Sequence, residues 1–596
     1  MHDSTTEATL DKDSRHSAFR LLFDYIHRDR RLLFKAVGLL LLATAADVLG
    51  PILAKIFIDD YLMQNNFAVA PLAGLLVAYL VSQLLAAWLR YHQTLKFTDM
   101  ALAAVLDIRQ RVFAHVLKVP MRYFDHAITG QLVSRITNDT EAIKDLYVQF
   151  LSVVLSNVIL LIGIIIAMSL LDVQLMLIAL TLIPTIIAVI YIYQRLSGAA
   201  VARTRQLRSD INAQISESIA GMDVIQAVNQ QQRFTGRFEQ LNGHYYKARM
   251  RTVKVGAALL RPAIDLISVL VIAGILHLFG TQVVMGVAEI GVLYAFINYL
   301  GRFTEPLAEI TQRFNLYQQA IVAGGRVHTL LQEPQEHYPD SSLAIDHGSL
   351  ALTNLDFSYE ADKPAIKSLS VTIPAGQFYA IAGHTGSGKS TLLKLILNFY
   401  QPQSGQICID DRPLAEYGHE ALRLGIGFIP QEPFIMSGTI HDNIDMGRHL
   451  PREQIEAAAR KAHLNRVIEA MPEGYDTYLG ERGTRLSAGQ RQQLIIARAL
   501  AAAPRILLLD EATANVDSET EQVVQRALND LRGEVTLIVV AHRLSTIRDA
   551  DQILVLSQGE LVEMGSHKEL MTHPKGRYQK MYRLQKQAEK VEKAAH

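Results

Sequence analysis

The sequence predicts a polytopic α-helical membrane domain followed by an α/β domain built around a P-loop. Two observations indicate this division. Half of the 596 residues are apolar, and the long apolar stretches lie before residue 305. The second half has shorter apolar runs, one of which leads into a glycine-rich loop. A chain of this length also exceeds what one hydrophobic core organises, so two or more domains are expected.

The overall composition excludes several classes of protein. The 58 basic and 58 acidic residues balance, so no net charge attracts nucleic acid. The single cysteine, Cys408, excludes an internal disulfide framework and is typical of a reducing compartment. Positions 1–14 are polar, contain four acidic residues and lack the basic start and apolar core of a cleaved signal peptide.

Six apolar stretches in the first half are long enough to cross a bilayer as helices, which takes about 20 residues. They run roughly over residues 32–62, 71–88, 150–171, 173–193, 255–278 and 283–303. Residues 1–30 are expected to form a polar tail and an amphipathic elbow helix that lies along the membrane interface.

The charges of the connecting loops predict the orientation of the chain. The connections after the first, third and fifth stretches contain no Lys or Arg, whereas those after the second and fourth contain eight and ten. By the positive-inside rule, both long loops, both termini and the second half of the chain lie in the cytoplasm. Helical periodicity indicates that spans two to five continue as helices beyond the lipid. Segments 124–134 and 217–228 are then the expected contact points, and a solvated helical stalk is the alternative.

Few ionisable residues lie within the apolar stretches. Asp47 lies in the first stretch, and Arg261 and Asp265 lie four residues apart in the fifth, where they share a helix face. The interpretations that stay open for them are contact with a substrate in a water-filled pathway, a structural ion pair, or a position near the membrane interface.

A phosphate-binding loop is predicted between an apolar strand at 378–382 and a helix-forming run at 392–397, with the pattern G-x-x-x-x-G-K-[ST]. Backbone N–H groups of such a loop surround phosphate oxygens, assisted by the positive end of the helix. Lys389 is expected to reach the β- and γ-phosphates of a nucleotide, and the Ser390 hydroxyl to bind Mg²⁺. The nucleotide-binding residues predicted here are Gly383, His384, Thr385, Gly386, Ser387, Gly388, Lys389, Ser390 and Thr391.

Polar residues also follow two other apolar runs, at 505–509 and 536–541. Runs that are apolar on both faces predict a parallel sheet, in which ligands collect at the carboxyl ends of the strands. Asp510 is expected to hold Mg²⁺, Glu511 to accept a proton from the attacking water, and His542 to contact the γ-phosphate. Gln431, after the run 428–430, is a further candidate ligand of Mg²⁺.

The order of these motifs resembles that of an ATP-binding-cassette domain. Between residues 383 and 542 the P-loop, Gln431, the segment Leu486-Ser487-Ala488-Gly489-Gln490, the strand ending at Asp510 and finally His542 follow one another. With six spans before it, the chain resembles a half-transporter of the ABC exporter type, and among these the multidrug-resistance-like (MdlB-type) half-transporters of enterobacteria. The resemblance implies a transmembrane domain at 31–325, a linker at 326–347, a cassette at 348–580 and a charged tail at 581–596.

The resemblance also implies roles for further residues. Tyr359 matches the aromatic residue that stacks on adenine, and Asp517 is retained from the cassette pattern. Ser487 is a good helix N-cap, and with Gly489 and Gln490 it would contact the ATP held by the P-loop of a second cassette. The implied cofactors are ATP and Mg²⁺, and the implied partner is a second half-transporter. Closure of two cassettes on ATP would turn a cavity between the spans from the cytoplasm to the outside.

Two departures from the family pattern bear on that partner. Ala488 replaces the usual glycine, and Ala514-Asn515-Val516 replaces the usual Ser-Ala-Leu before Asp517. Together with the resemblance to the multidrug-resistance-like subunits, they favour a heterodimer over a homodimer. Because Glu511 and His542 are present, the P-loop side of this chain is expected to hydrolyse ATP.

The leading hypothesis is ATP-driven export of amphipathic small molecules, drug-like or lipid-like, across the bacterial inner membrane. A lipid flippase is a variant that the sequence does not separate from it. An ATP-gated channel would use the same architecture, but Glu511 argues against it because a gate needs no rapid turnover. A soluble cassette protein is excluded by the six apolar stretches and the basic inner loops.

Overall fold

The structure is a computed structural model that describes residues 30–259, 261–284, 289–360, 363–510, 518–540 and 547–595. It divides into two compact units. The first comprises Met1–Lys118 and Ala127–Glu333, and the second comprises Val119–His126 and Pro334–His596. The predicted elbow helix falls in residues 1–29, outside the described residues.

In its described residues the first unit forms helices and no strand. Segments of π-helix lie at Phe57–Leu62, Arg135–Asp139 and Leu146–Leu151. Its α-helices are α1 Arg30–Ile56, α2 Val69–Val116, α4 Thr129–Ser134, α5 Thr140–Asp145, α6 Ser152–Leu171, α7 Val173–Leu180, α8 Leu182–Ala220, α9 Met222–Ala227, α10 Gln231–Leu259, α11 Arg261–Val284 and α12 Ile290–Leu331. The helix α3, Met121–His126, belongs to the second unit.

Among the described residues, five helical segments are long and apolar enough to cross a membrane: Arg30–Leu62, Val69–Val116, Thr129–Leu171, Val173–Ala220 and Gln231–Thr281. They contain the first five predicted spans. The sixth predicted span, 283–303, includes residues 285–288, which lie outside the described residues, and the start of α12. A sixth span therefore stays a prediction.

Several helices are longer than a bilayer requires. The helix α2 has 48 residues, which is about 72 Å at 1.5 Å per residue, whereas the hydrocarbon core is about 30 Å thick. The helix α12 continues to Leu331, six residues into the segment predicted as a linker. The length of α2 agrees with the expectation that the second span extends beyond the lipid.

The core of the first unit forms where α6, α7, α8, α11 and α12 pack together. Ile164, Leu175, Leu182, Ile275 and Phe296 have no exposed surface there. The turn between α7 and α8 is at Thr181, three residues before Pro184. A proline has no N–H to donate and its ring clashes with the preceding turn, so the helix breaks at this point.

The second unit contains two sheets. Its strands are β1 Leu350–Glu360, β2 Lys363–Ile373, β3 Phe378–Ala382, β4 Ser404–Ile409, β5 Arg412–Pro413, β6 Ile426–Ile429, β7 Ile506–Asp510, β8 Thr536–Val540, β9 Gln552–Ser557 and β10 Glu560–Gly565. The first sheet is antiparallel in the order β2-β1-β4-β5, and the second has the order β10-β9-β3-β8-β7-β6. Strands β9, β3, β8, β7 and β6 are parallel, as predicted from the apolar runs.

The second unit also contains α-helices. They are α3 Met121–His126, α13 Lys389–Ile396, α14 His419–Gly425, α15 Ile440–Asp445, α16 Arg452–Lys461, α17 Asn465–Glu469, α18 Ala488–Ala501, α19 Ser518–Asp530, α20 His567–Thr572 and α21 Arg577–Ala595. Strands β3 and β8 are buried along their whole length because apolar clusters pack on both faces of the sheet.

Candidate functional site

The predicted phosphate-binding loop leaves β3 at Ala382 and enters α13 at Lys389. Gly388 has a φ of +101°, and a Cβ atom there would lie 2.6 Å from the carbonyl oxygen of Ala365. A Cβ atom at Gly383 would lie 2.4 Å from the carbonyl oxygen of Leu556. Glycine is therefore required at both positions, since a side chain would collide with fixed backbone atoms.

The Lys389 side chain folds back over this loop. Its Nζ donates hydrogen bonds to the carbonyl oxygens of Gly383 at 2.9 Å and of His384 at 3.1 Å, and the residue is buried. The nearby Ser387 hydroxyl is buried and has no hydrogen-bond partner among the described residues. A buried ammonium group and an unsatisfied hydroxyl on one loop fit the phosphate groups of a nucleotide.

Two residues predicted to hold Mg²⁺ are in direct contact. The Ser390 hydroxyl, at the start of α13, donates a hydrogen bond to Asp510 Oδ1 at the end of β7. A hydroxyl and a carboxylate oxygen are the ligand types that Mg²⁺ prefers, so the pair fits the ion. Gln431 lies two residues after β6, whose last residue, Ile429, is paired with Leu509. The sheet thus brings the loop that leads to Ser390, together with Asp510 and Gln431, to one carboxyl edge.

Three predicted residues, Glu511, Asp517 and His542, lie outside the described residues. The strands before Glu511 and His542 are described, and their last residues, Asp510 and Val540, are register partners in parallel strands. The roles of these three residues stay predictions.

Tyr359 lies beside the phosphate-binding loop. Its hydroxyl donates a hydrogen bond to Thr391 Oγ1, the last residue of the predicted loop, across 3.4 Å. Its ring packs edge to face against Phe357 and Tyr400, and Lys394 Nζ lies 5.7 Å from the ring centroid. A cavity of about 810 Å³ opens next to it within the second unit. The position of Tyr359 fits the adenine contact that the sequence predicted.

The predicted N-cap at Ser487 is present. Its hydroxyl accepts a hydrogen bond from the N–H of Gln490 at 3.2 Å, and Gln490 Oε1 accepts one from the N–H of Ser487 at 2.9 Å. Sequence analysis missed that the Gln490 side chain closes this capping box, although Ser-x-x-Gln before an apolar run is its signature.

Arg498 in α18 is a residue that sequence analysis did not single out. Its guanidinium donates to the carbonyl oxygens of Asn443 and Phe434, each at 2.7 Å, and to Asn443 Oδ1 at 2.8 Å. Burial, reinforced by the neighbouring Arg448, lowers the pKa of Arg498 to about 10. Arg498 therefore ties the helix that follows Ser487 to the segment that follows Gln431. A single arginine on a helix gives no sequence signal for such a link.

Comparison with known proteins assigns the chain to a family. Residues 33–307 match the family described as ABC transporter transmembrane region, and residues 366–514 match the family described as ABC transporter. A Multidrug resistance-like ATP-binding protein MdlB from Buchnera aphidicola is 38% identical over 567 residues, which are 95% of this chain and 97% of that protein. The chain belongs to the ABC transporter family.

Two further relatives of this ABC transporter extend the comparison. A Fatty acid ABC transporter ATP-binding/permease protein from Mycobacterium bovis is 34% identical over 481 residues, covering 80% of this chain and 76% of that protein. A solved structure described as a bacterial Atm1-family ABC exporter with ATP bound has a TM-score of 0.76 and 27% identity, covering 94% of this chain and 98% of the other. This ABC transporter is thus an ATP-hydrolysing membrane protein of the exporter type.

Proposed function

We propose that this chain is one half of a dimeric exporter that moves drug-like or lipid-like amphipathic small molecules across the bacterial inner membrane by alternating access. The observation that carries the proposal is the hydrogen bond between Ser390 and Asp510 beside the phosphate-binding loop. The other unit of the same chain contains helices that are long and apolar enough to cross a membrane. The relatives named for multidrug resistance and for fatty acid transport support both classes of substrate.

The second unit supplies the nucleotide site in this proposal. The loop N–H groups and Lys389 bind the phosphates of ATP, and Tyr359 stacks on adenine. Ser390, Asp510 and Gln431 hold Mg²⁺, which neutralises charge on the phosphates. Glu511 takes the proton of the attacking water, and His542 orients the γ-phosphate.

A second half-transporter completes each ATP site. Ser487 and Gly489 begin a helix whose exposed first turn fits a nucleotide held by another cassette. Apolar side chains are also exposed at the turn between α8 and α9 in the first unit. Val224 is 66% exposed, and Ile219 and Met222 are exposed as well. Exposed apolar groups on a cytoplasmic turn are typical of a protein interface, here with the cassette of the partner. We favour a heterodimer because Ala488 and Asn515 depart from the family pattern.

The same architecture would also serve a lipid flippase or an ATP-gated channel. Reconstitution into proteoliposomes separates the three. An exporter moves a soluble amphipathic probe only while ATP is hydrolysed, a flippase moves labelled lipid between leaflets, and a channel passes ion currents with ATP merely bound. Purification from native membranes, followed by identification of co-purifying chains, distinguishes the heterodimer from the homodimer.

A further inference from the structure

Three charged side chains meet where α1, α2 and α12 come together in the first unit. Asp47 Oδ2 accepts a hydrogen bond from Arg90 Nη2 at 2.8 Å, and Asp47 Oδ1 accepts one from Arg302 Nη1 at 3.0 Å. Arg302 Nη1 also lies 3.2 Å from the carbonyl oxygen of Asp47. The Asp47 side chain is only 17% exposed, so its carboxylate is enclosed between the two guanidinium groups.

This cluster lies near the cytoplasmic ends of the predicted spans. Arg302 is one residue before the end of the sixth predicted span, 283–303, and Arg90 is two residues after the end of the second, 71–88. Each is 19 residues from the predicted outer end of its span, or about 28 Å along a helix. Since the hydrocarbon core is about 30 Å thick, both guanidinium groups lie at its inner edge, and Asp47 lies within the first span, 32–62.

The three helices do not depend on the ion pairs alone for their contact. The Tyr299 hydroxyl, one turn before Arg302, donates a hydrogen bond to the carbonyl oxygen of Val48 at 2.6 Å, and the ring is fully buried. This bond fixes α12 against α1 next to Asp47. The geometry of the cluster therefore has a structural support that carries no charge.

The charges in the cluster do not balance. One carboxylate faces two guanidinium groups, and the Arg90 and Arg302 side chains are 58% and 36% exposed. Among the described side chains, Glu309 is engaged by Arg313 and Asn157, and Glu305 forms no ion pair with Arg90 or Arg302. A guanidinium group has five N–H donors, so most donors of this pair are open to a further acceptor. The second positive charge, at the inner edge of the predicted spans, attracts an anionic group that enters from the cytoplasmic side.

We propose that Arg90 and Arg302 bind the anionic head of the transported molecule, a carboxylate or phosphate group attached to an apolar body. Asp47 holds the two guanidinium groups in place when the site is empty and competes with the ligand anion for them. This inference rests on the proposed export function and assigns a negative charge to the transported molecule.

The test uses the full chain with its partner subunit in proteoliposomes. Three fluorescent probes share one twelve-carbon tail and end in a carboxylate, its methyl ester or an amine. ATP-dependent uptake and the probe concentration for half-maximal stimulation of ATP hydrolysis are measured for each. The wild type is expected to prefer the carboxylate, and Arg90→Gln and Arg302→Gln are each expected to raise its half-maximal concentration about tenfold, the loss of one charge-assisted hydrogen bond. The ester should change little.

Asp47→Asn distinguishes a ligand site from a structural ion pair. Removing the internal competitor should lower the half-maximal concentration for the carboxylate, opposite to the arginine variants. A structural pair predicts the same loss for all three probes in all variants. Arg302→Lys keeps the positive charge but lacks the paired N–H donors of the guanidinium group, so it should retain part of the preference for the carboxylate. This variant tests the site even if Asp47→Asn folds poorly. Arg313→Gln, on the same helix beside Glu309, is the control and should leave the preference unchanged.

The outcomes separate this inference from the export function. Uptake of the ester or amine without a preference for the carboxylate, or equal losses for every probe, would overturn the anion site alone. Absence of ATP-dependent uptake of all three probes would overturn export and the site with it. Vesicles of different lipid composition distinguish a lipid from a soluble amphiphile as the source of the anion. If phosphatidylglycerol vesicles stimulate ATP hydrolysis in the absence of probe, and Arg302→Gln abolishes this stimulation, the ligand is a lipid head group. Stimulation by the carboxylate alone in phosphatidylcholine identifies a soluble amphiphile.

Discussion

The Ser390 hydroxyl donates a hydrogen bond to Asp510 Oδ1 across 3.0 Å, although 120 residues separate the two in sequence. The contact arises because β3, which leads to Ser390, and β7, which ends at Asp510, both pair with β8. Their carboxyl ends therefore open at one edge of the sheet. This arrangement joins the phosphate-binding loop to the acid that we propose as a magnesium ligand.

Removal of the Lys389 ammonium should weaken ATP binding itself. The group is buried against the loop, so Lys389→Ala removes a charge-assisted contact with the phosphates. We expect the dissociation constant for ATP to rise about 10- to 100-fold. Equilibrium binding of a fluorescent ATP analogue measures this. Lys363→Ala, an exposed lysine paired with Glu360 in the same unit, is the control. Unchanged affinity in Lys389→Ala would refute the nucleotide assignment of the loop.

Loss of the proposed general base should affect chemistry and not binding. Glu511→Gln keeps the size of the side chain but cannot accept the proton of water. We expect ATP binding to stay intact while turnover falls at least about 100-fold. Steady-state phosphate release measures turnover, and Glu453→Gln on α16 is the control. Undiminished hydrolysis would show that another group acts as the base.

The ring of Tyr359, more than its hydroxyl, should hold adenine. Its hydrogen bond to Thr391 is long at 3.4 Å, so Tyr359→Phe is expected to bind ATP almost as well as the wild type. Tyr359→Ala removes the ring on which adenine stacks. Because base–aromatic stacking contributes a binding free energy of about 1–3 kcal/mol per base, this variant should bind ATP about 5- to 100-fold more weakly. Binding assays with ATP and with inorganic triphosphate check the cause, because triphosphate has no base to stack. Equal losses for both would contradict the adenine contact.

Ser487 should have two separable roles, as the N-cap of α18 and as a contact for the ATP held by the partner cassette. As a helix N-cap it stabilises α18, so Ser487→Ala should destabilise the chain by about 1 kcal/mol. Ser566 caps α20 with the same capping box, closed by Glu569. Ser566→Ala should therefore cause a similar loss, measured by thermal unfolding, without impairing ATP hydrolysis by the dimer. If the two variants lose activity equally, Ser487 acts only through stability.

Local patterns predicted much of the second unit. The apolar runs before Ser390 and Asp510 are short and lack polar residues, so a buried parallel strand is the arrangement that satisfies them. The glycines of the loop and Ser487 before a helix are signals carried by adjacent residues, and the structure places both as predicted. The separate antiparallel sheet was not predicted, because its partners β1 and β4 are joined only through long-range pairing.

The membrane unit contains contacts that such patterns do not predict. Arg90 was placed in the cytoplasmic connection after the second span, which was expected to continue as a helix, and it lies within α2, where it pairs with Asp47. Arg302 was not singled out at all. Ion pairs between distant helices depend on which faces meet, and one sequence does not contain that information. Asp47 forms ion pairs with Arg90 and Arg302, and its role in structure or in substrate binding stays a prediction. The Arg261–Asp265 pair also stays a prediction, because the Arg261 side chain lies outside the described residues.

The division into two units falls within the first predicted contact segment, 124–134. Val119–His126 belongs to the second unit and Ala127 onward to the first. Lys394, beside Tyr359, lies 3.9 Å from Asp125 on α3. The boundary within this segment depends on tertiary packing, since both sides of it are helical.

The central claim, that ATP hydrolysis in the second unit drives movement through the first, is tested most directly by transport into inside-out vesicles. Uptake of an amphipathic probe is followed with the full dimer, as wild type and as Glu511→Gln, together with ATP hydrolysis in the same samples. The account predicts uptake in the wild type only when ATP is hydrolysed, and loss of uptake in proportion to hydrolysis in Glu511→Gln. Equal uptake without ATP, or undiminished uptake in Glu511→Gln while hydrolysis is abolished, would contradict it.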